Sequence, residues 1–286
     1  APGLLEQHAD GRYQAKQLEI HAPEQAAVYA MPVLSTFAGA DITAGIMATR
    51  LHRVTETVLL LDLGTTSKAV LHHRGRLYAI GLADTPAFDG AGILFGRSPE
   101  TGSIDHVRID GDLQITVVGE SLPRGISGGG LIELAGELRR TGLLDDCGRL
   151  SGAAVPAADR ILEIKKDRAF LLYRDDGEFE TDIYVTQADI GLLLQAKTAA
   201  GAMVNRLLDH AGIGADALDK VLLGGPFGEK LQVQAFFDLG LFPGVLQGRV
   251  ACVGNTVKKG TQMALIDRNV LQEAERLIHK VETLPF

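Results

Sequence analysis

Asp62, Gly64, Thr65, Thr66 and Ser67 follow directly on the apolar run Val58-Leu59-Leu60-Leu61, an order of residue types that could hold an anion. Four bulky apolar residues in succession read as a buried strand, and where such a strand breaks into a glycine turn its backbone N–H groups become available to a ligand. A carboxylate at the break suits a hard cation such as Mg²⁺, and hydroxyls beside it suit phosphate oxygens. The same letters also serve as ordinary turn punctuation, since glycine adopts positive φ at little cost. Lys68 closes the segment, either as a cation near the anion or as a solvated strand residue.

Two further glycine turns accompany the first. Ser127-Gly128-Gly129-Gly130 opens a helical pattern through Leu131, Leu134, Ala135 and Leu138, and the strand-like Lys220-Val221-Leu222-Leu223 breaks into Gly224-Gly225-Pro226-Phe227-Gly228. Phosphates need close backbone approach, which glycine allows because it has no Cβ, and helix N-termini add partial positive charge. The chain has neither a G-x-x-x-x-G-K-[ST] loop nor a G-x-G-x-x-G turn after a strand, so the two commonest nucleotide signatures are excluded. Asp41, Asp89 and Asp105 are further carboxylates, whose commoner work is to cap helices and turns. His72-His73 lacks a third ligand at zinc spacing, and Ser127 lacks the uninterrupted strand that a hydrolase nucleophile elbow requires.

The elements that must position these residues are legible as periodicities. Asp41 to Arg53 is a short helix, strands fall at 58–62, 68–72 and 76–82, and the Asp110-Gly111 turn joins a hairpin across 107–117. Thr186-Gln187-Ala188-Asp189 has the form of a capping box and starts a long helix that Gly212 ends. A last strand at 249–253 precedes helical segments from Thr256 to His279.

Composition narrows the class. The chain has 286 residues, 46% of them hydrophobic and 22% charged, which fits a folded protein with a sizeable core. A net charge of -8 argues against nucleic acid as a partner. No apolar run approaches the roughly eighteen residues of a spanning helix, and the first thirty residues lack a signal-peptide core, so the expected setting is cytoplasmic, with no membrane partner. Cys147 and Cys252 stand far apart, outside any metal-binding spacing. The start at Ala-Pro-Gly reads as that of a fragment or a processed product.

The joint order of seven segments is more specific than any one of them: "PVLSTFAGADITAGIMATRL", "LLLDLGTTSKAVL", "TPAFDGAGI" with "TGSIDHV", "PRGISGGGLIELAGELRRTGLLD", "VTQADIGLLLQAKTAAGAMVNRLL", "VLLGGPFGEKL" and "VACVGNTVKKGTQMAL". Over residues 30 to 265 this series resembles the ATPase (ASKHA) domain of the reductive activators of corrinoid proteins. These belong to the superfamily of acetate and sugar kinases, heat-shock proteins and actin. The resemblance implies an α/β fold of two ribonuclease-H-like lobes with ATP and Mg²⁺ between them. It places a linker and a first helix at 1–56, a first lobe with hairpins at 57–185 and a second lobe with the C-terminal helices at 186–286. It implies that Asp62 serves catalysis and holds Mg²⁺ through water, that Gly64, Thr65, Thr66 and Ser67 cradle phosphates with Gly128 and Gly129, and that Gly224, Gly225 and Gly228 approach the adenosine.

The implied activity is ATP-assisted return of a corrinoid protein from Co(II) to Co(I) in a methyltransferase system. The implied partner is that corrinoid protein, with a homodimer left open. A [2Fe-2S] cluster enters only through a domain upstream of these residues. Two other functions fit the same segments: a nucleotide-responsive docking module without hydrolysis, and a small-molecule kinase of the superfamily. Where the family commonly has an acidic residue at the end of the first turn, this chain has Lys68, which reverses the local charge.

Overall fold

The computed structural model describes residues 12–23, 26–35, 38–83, 85–152, 155–164, 166–175, 182–225 and 232–286. Gly228 lies outside them. The first elements are a small antiparallel pair, β1 (Arg12–Gln14) and β2 (Ala27–Tyr29), followed by α1 (Ala40–Thr49). Then come β3 (Val58–Asp62), β4 (Thr66–His73) and β5 (Arg76–Ala83), consecutive antiparallel neighbours as the hairpin signals predict.

The strand β3 is buried on both faces, and its period of two divides the interior into two cores. Leu59 and Leu61 enter one cluster with Leu71, Ile80, Leu131 and Leu193, while Val58 and Leu60 enter the other with Ile42, Ile46, Val70 and Ala79. Removing each such leucine from water contributes about 1.5–3 kcal/mol. A strand of this kind belongs at the centre of a sheet with helices on both sides.

The middle of the chain builds two smaller sheets. β6 (Ser103–Asp110) pairs with β7 (Asp112–Val117) and with the short β8 (Gly125–Ile126), and α2 (Gly128–Arg140) follows. β9 (Ile161–Ile164), β10 (Asp167–Tyr173) and β11 (Ile183–Thr186) form an antiparallel trio. From it rises α3 (Gln187–Ala211), 25 residues long, closed by a left-handed Gly212. The capping box at its start is present: Asp189 N–H donates to Thr186 Oγ1 at 3.0 Å and Thr186 N–H donates to Asp189 Oδ2 at 2.9 Å. The other oxygen of Asp189 accepts from Leu94 N–H at 3.0 Å, which pins the helix start to the 86–96 segment.

The chain then returns to the central sheet through β12 (Lys220–Gly224), α4 (Val233–Asp238), β13 (Val250–Gly254), α5 (Thr256–Ile266), α6 (Arg268–Leu277) and β14 (Val281–Leu284). Six strands stand in the order β13-β12-β3-β4-β5-β14, with β3, β12 and β13 mutually parallel. Helix α5 lies so close to α1 that a Cβ on Gly260 would come 2.0 Å from the Ala44 carbonyl oxygen.

Two expectations change. The division at 185/186 does not separate sheets, because β3–β5 and β12–β14 share one sheet while residues 103–186 supply the two smaller ones. The cause is lateral pairing: Leu59 and Leu61 register against Val221 and Leu223, and apolar fit chooses strand partners across long chain separations. The C-terminal segment also does not end in helix, since Val281–Leu284 adds in parallel to β5. Among the described residues no helix is long and apolar enough to cross a membrane.

Candidate functional site

Parallel strands end together, and ligands of α/β sheets gather outside those carboxyl ends. Here the ends of β3 and β12 are in register, with Asp62 opposite Gly224. Leu63 N–H donates to the Gly224 carbonyl at 3.2 Å, and Gly225 N–H donates to the Gly254 carbonyl at 3.3 Å, so three strand ends are tied into one rim. A Cβ on Gly224 would lie 3.6 Å from the Asp62 carboxyl carbon and 3.3 Å from Thr256 Oγ1. Gly225 carries φ +140°, a value that favours glycine.

Beyond Asp62 the turn is shaped by Thr85, a residue that the sequence reading passed over. Its buried hydroxyl donates to the Gly64 carbonyl at 2.7 Å and stands 2.7 Å from Ser67 Oγ, while its N–H donates to the Thr65 carbonyl at 2.9 Å. Thr65 donates its N–H and its hydroxyl to Asp89 Oδ2. Thr65 and Thr66 are exposed. Ser67, expected beside them as a phosphate ligand, is fully buried and turned inward onto Thr85. The reversal follows from strand pleating, because β4 has begun at Thr66 and the next side chain must point to the opposite face.

The second glycine segment reaches the same place through Asp89. A Cβ on Gly128 would fall 1.8 Å from the Phe88 carbonyl oxygen and 3.1 Å from the Asp89 Cα, and one on Gly64 would fall 3.5 Å from Asp89 Oδ2. Asp89 therefore stands between the first turn and the start of α2. Gly128 and Gly129 form the first turn of that helix, and Ser127 caps it by accepting from Gly130 N–H at 3.0 Å. At Gly128 the close backbone packing already requires glycine.

Of the three extra carboxylates, two converge on Asp62. Asp41 sits in the first turn of α1 and forms an ion pair with Lys68 Nζ at 2.5 Å; Lys68 is the cross-strand partner of Asp62. Asp105 lies elsewhere, 3.9 Å from His106 Nε2. The Asp62 carboxyl is pushed up to about 6, first by burial and then by the charges of Asp41 and Asp89; Lys68 and the Thr256 hydroxyl act in the opposite direction. Thr256 is 1% exposed, and its hydroxyl favours the charged form of the Asp62 carboxylate while making no full hydrogen bond among the described residues.

This donor set fits Mg²⁺ in one manner. Every candidate ligand is a hard oxygen, yet among the described residues no three of His, Cys, Asp and Glu form a self-contained metal cluster. A cation here must complete its shell with water and with phosphate oxygens, as Mg²⁺ commonly does. A separate cavity of about 530 Å³, on the face carrying α1 and α5, touches this rim through Thr256.

Comparisons with known proteins bear on the fold and the family. Residues 56–286 match the family model described as the C-terminal, ASKHA domain of RACo, and residues 5–54 match the RACo middle region, over the stretch expected to hold a linker and a first helix. A solved structure named reductive activator for corrinoid, iron-sulfur protein superposes with a TM-score of 0.89 at 31% identity, covering 96% of this chain and 44% of that one. The corrinoid activation enzyme RamQ of Eubacterium limosum is 29% identical over 245 residues, which are 83% of this chain and 41% of RamQ. The chain thus spans less than half the length of these relatives.

Proposed function

This chain belongs to the RACo family, whose C-terminal ASKHA domain it matches over residues 56–286, and we propose that it is the nucleotide-binding portion of a reductive activator of corrinoid proteins. In this reading ATP binding and hydrolysis assist the return of an oxidised corrinoid cofactor from Co(II) to Co(I) on a partner protein. The single electron comes from an iron–sulfur centre, for which Cys147 and Cys252 alone do not provide the ligands.

The observation that carries the proposal is the meeting of Asp62, Gly224 and Asp89 at the carboxyl ends of β3 and β12. Gly224 leaves the rim open where a side chain would crowd Asp62 and Thr256. Thr65 and Thr66 are exposed at the turn, where their hydroxyls, engaged with Asp89 and Lys68, would exchange those partners for phosphate oxygens, and the start of α2 adds its partial positive charge behind Asp89. Magnesium, when bound, neutralises phosphate charge, and Asp62 would hold it through water. Around it the protein's part is positioning and charge stabilisation, the main contribution proteins make to phosphoryl transfer.

A second reading, a docking module that binds nucleotide without hydrolysing it, is favoured by one feature. Asp41 and Asp89 are engaged by Lys68 and Thr65, which leaves neither as an unencumbered base.

The test is nucleotide binding by calorimetry and phosphate release with and without a Co(II) corrinoid protein. The activator reading expects micromolar MgATP binding, at least tenfold weakened in Asp62→Asn, and turnover stimulated by the corrinoid protein. Binding without stimulation would favour the docking module, and unchanged binding in Asp62→Asn would remove Asp62 from the site.

A further inference from the structure

The sheet face opposite α1 holds a second cavity, of about 470 Å³, between β3, α3 and the segment 240–246. Leu59 and Leu61 of β3 line it together with Val204 and Leu208 of α3 and Phe242 and Leu246 of that segment. It is walled at both ends. Lys197, one turn before Gly201, donates to the Leu239 carbonyl at 3.3 Å and so bridges α3 to the segment, and beyond Leu208 the turns Ala215–Ala217 and Gly244–Leu246 pack on each other. Phe242 is held in place by Phe236 and Phe237, whose ring centroids lie 6.0 and 5.8 Å from its own. A space bounded in this way takes a molecule of limited length rather than a passing chain.

The lining fixes the chemistry of that molecule. No charged side chain borders the cavity, and Asn205, exposed and without a hydrogen-bond partner among the described residues, is the single polar one. A buried charge would find no counter-ion there, and water would find too few polar groups to hold it. Gly201, in the middle of α3, also lines the space, and a Cβ on it would meet nothing within 4 Å. Glycine inside a helix is unfavourable relative to alanine, and no close contact requires it here, so its effect is to leave the cavity open.

We propose that this cavity binds a neutral mono- or bicyclic aromatic molecule with one hydrogen-bonding group, which pairs with the Asn205 amide while the ring packs on Phe242 and the leucines. A volume of several hundred Å³ with an apolar lining and one placed polar group is the usual form of a small-molecule site. An aromatic ring gains from offset or edge packing against Phe242 in addition to the area it buries. The cavity shares no residue with the strand-end rim, so the inference is independent of the nucleotide reading.

The probe is indole, whose emission is free of background because the chain has no tryptophan. Titration with the protein is expected to shift that emission to the blue, saturably and at one site per chain, with a dissociation constant below about 1 mM. Gly201→Leu, which fills the cavity from α3, should weaken binding about tenfold or more while keeping the parent's circular dichroism. Val204→Phe serves if that variant does not fold, with the same expectation. Asn205→Leu should weaken indole about threefold or more and leave toluene, which has no group for the amide and is followed by competition, within about twofold of the parent. Gly191→Ala, in the same helix but outside the cavity, should bind indole as the parent does. Absence of saturable binding by the parent, or parent-like affinity in a folded cavity-filling variant, overturns the proposal, and unchanged indole affinity in Asn205→Leu overturns the part given to the amide.

Discussion

Two carboxylates, Glu133 on α2 and Asp62 at the end of β3, are both drawn into the protein, and their surroundings differ in one respect. Glu133, 2% exposed, accepts from Val107 N–H at 3.0 Å and Gln232 N–H at 3.1 Å, and His106 Nδ1 stands 3.1 and 3.2 Å from its two oxygens. It thereby fastens β6 and the approach to α4 onto α2. Among the described residues Asp62 has no such set of backbone donors: its neighbours are two like charges, one ammonium and the Thr256 hydroxyl. A buried carboxylate whose lone pairs are all used maintains a fold, and one whose lone pairs are spare awaits a partner.

The contrast can be broken most forcefully at Glu133. Glu133→Leu is expected to lose about 3–5 kcal/mol in denaturant unfolding, because it strands the buried Val107 N–H together with the Gln232 N–H and the His106 imidazole. A loss below 1 kcal/mol would show that the network is not structural. At Asp62 the sign is opposite. Its ordinary value of 3.8 is raised to about 6 in the fold, so ionisation is disfavoured there. Its favourable contribution is whole below 3.8, falls as pH rises and is gone above about 6, a swing of about 3 kcal/mol at 1.36 kcal/mol per unit. Unfolding of the parent and of Asp62→Asn from pH 4 to 7 should therefore show a gap that widens in favour of the variant. A constant gap would mean that Asp62 is solvated like a surface group. The smallest effect sets the background: Gly191→Ala, in α3 with open space around its position, should add about 0.5–1 kcal/mol of stability and leave ligand binding untouched.

Much of the scaffold could be read in the letters because it depends on local pattern. The β3 run, the β4–β5 hairpin, the glycine start of α2 and the Thr186 capping box each declare themselves within a dozen residues. The site was legible in part. Asp62, Gly64 and Gly224 were marked by strand-to-glycine breaks, but the convergence of Asp41 and Asp89 depends on how α1 and the 86–90 turn fold back, which no spacing records. The inward turn of Ser67 was decipherable in principle, from the alternation that starts at Thr66. Thr85 and Glu133 carry no motif, and their roles arise from contacts across 18 to 99 residues of chain; Thr256, also without a motif, reaches Asp62 from still farther along the chain. β14 was hidden because four residues of mixed polarity signal a strand only where an open sheet edge receives them.

The fastening of α3 at both ends makes it a mechanical rod. At 1.5 Å per residue its 25 residues span about 37 Å. Near its start Asp189 grips Leu94, a few residues beyond Asp89; near its far end Arg206 donates to the Pro285 carbonyl at 2.6 Å and His210 meets Glu282 at 2.8 Å. A helix stiff along its axis does not absorb displacement by shortening. A displacement of the 86–96 segment that kept the Asp189–Leu94 bond would be carried along the rod toward the β5–β14 edge of the sheet.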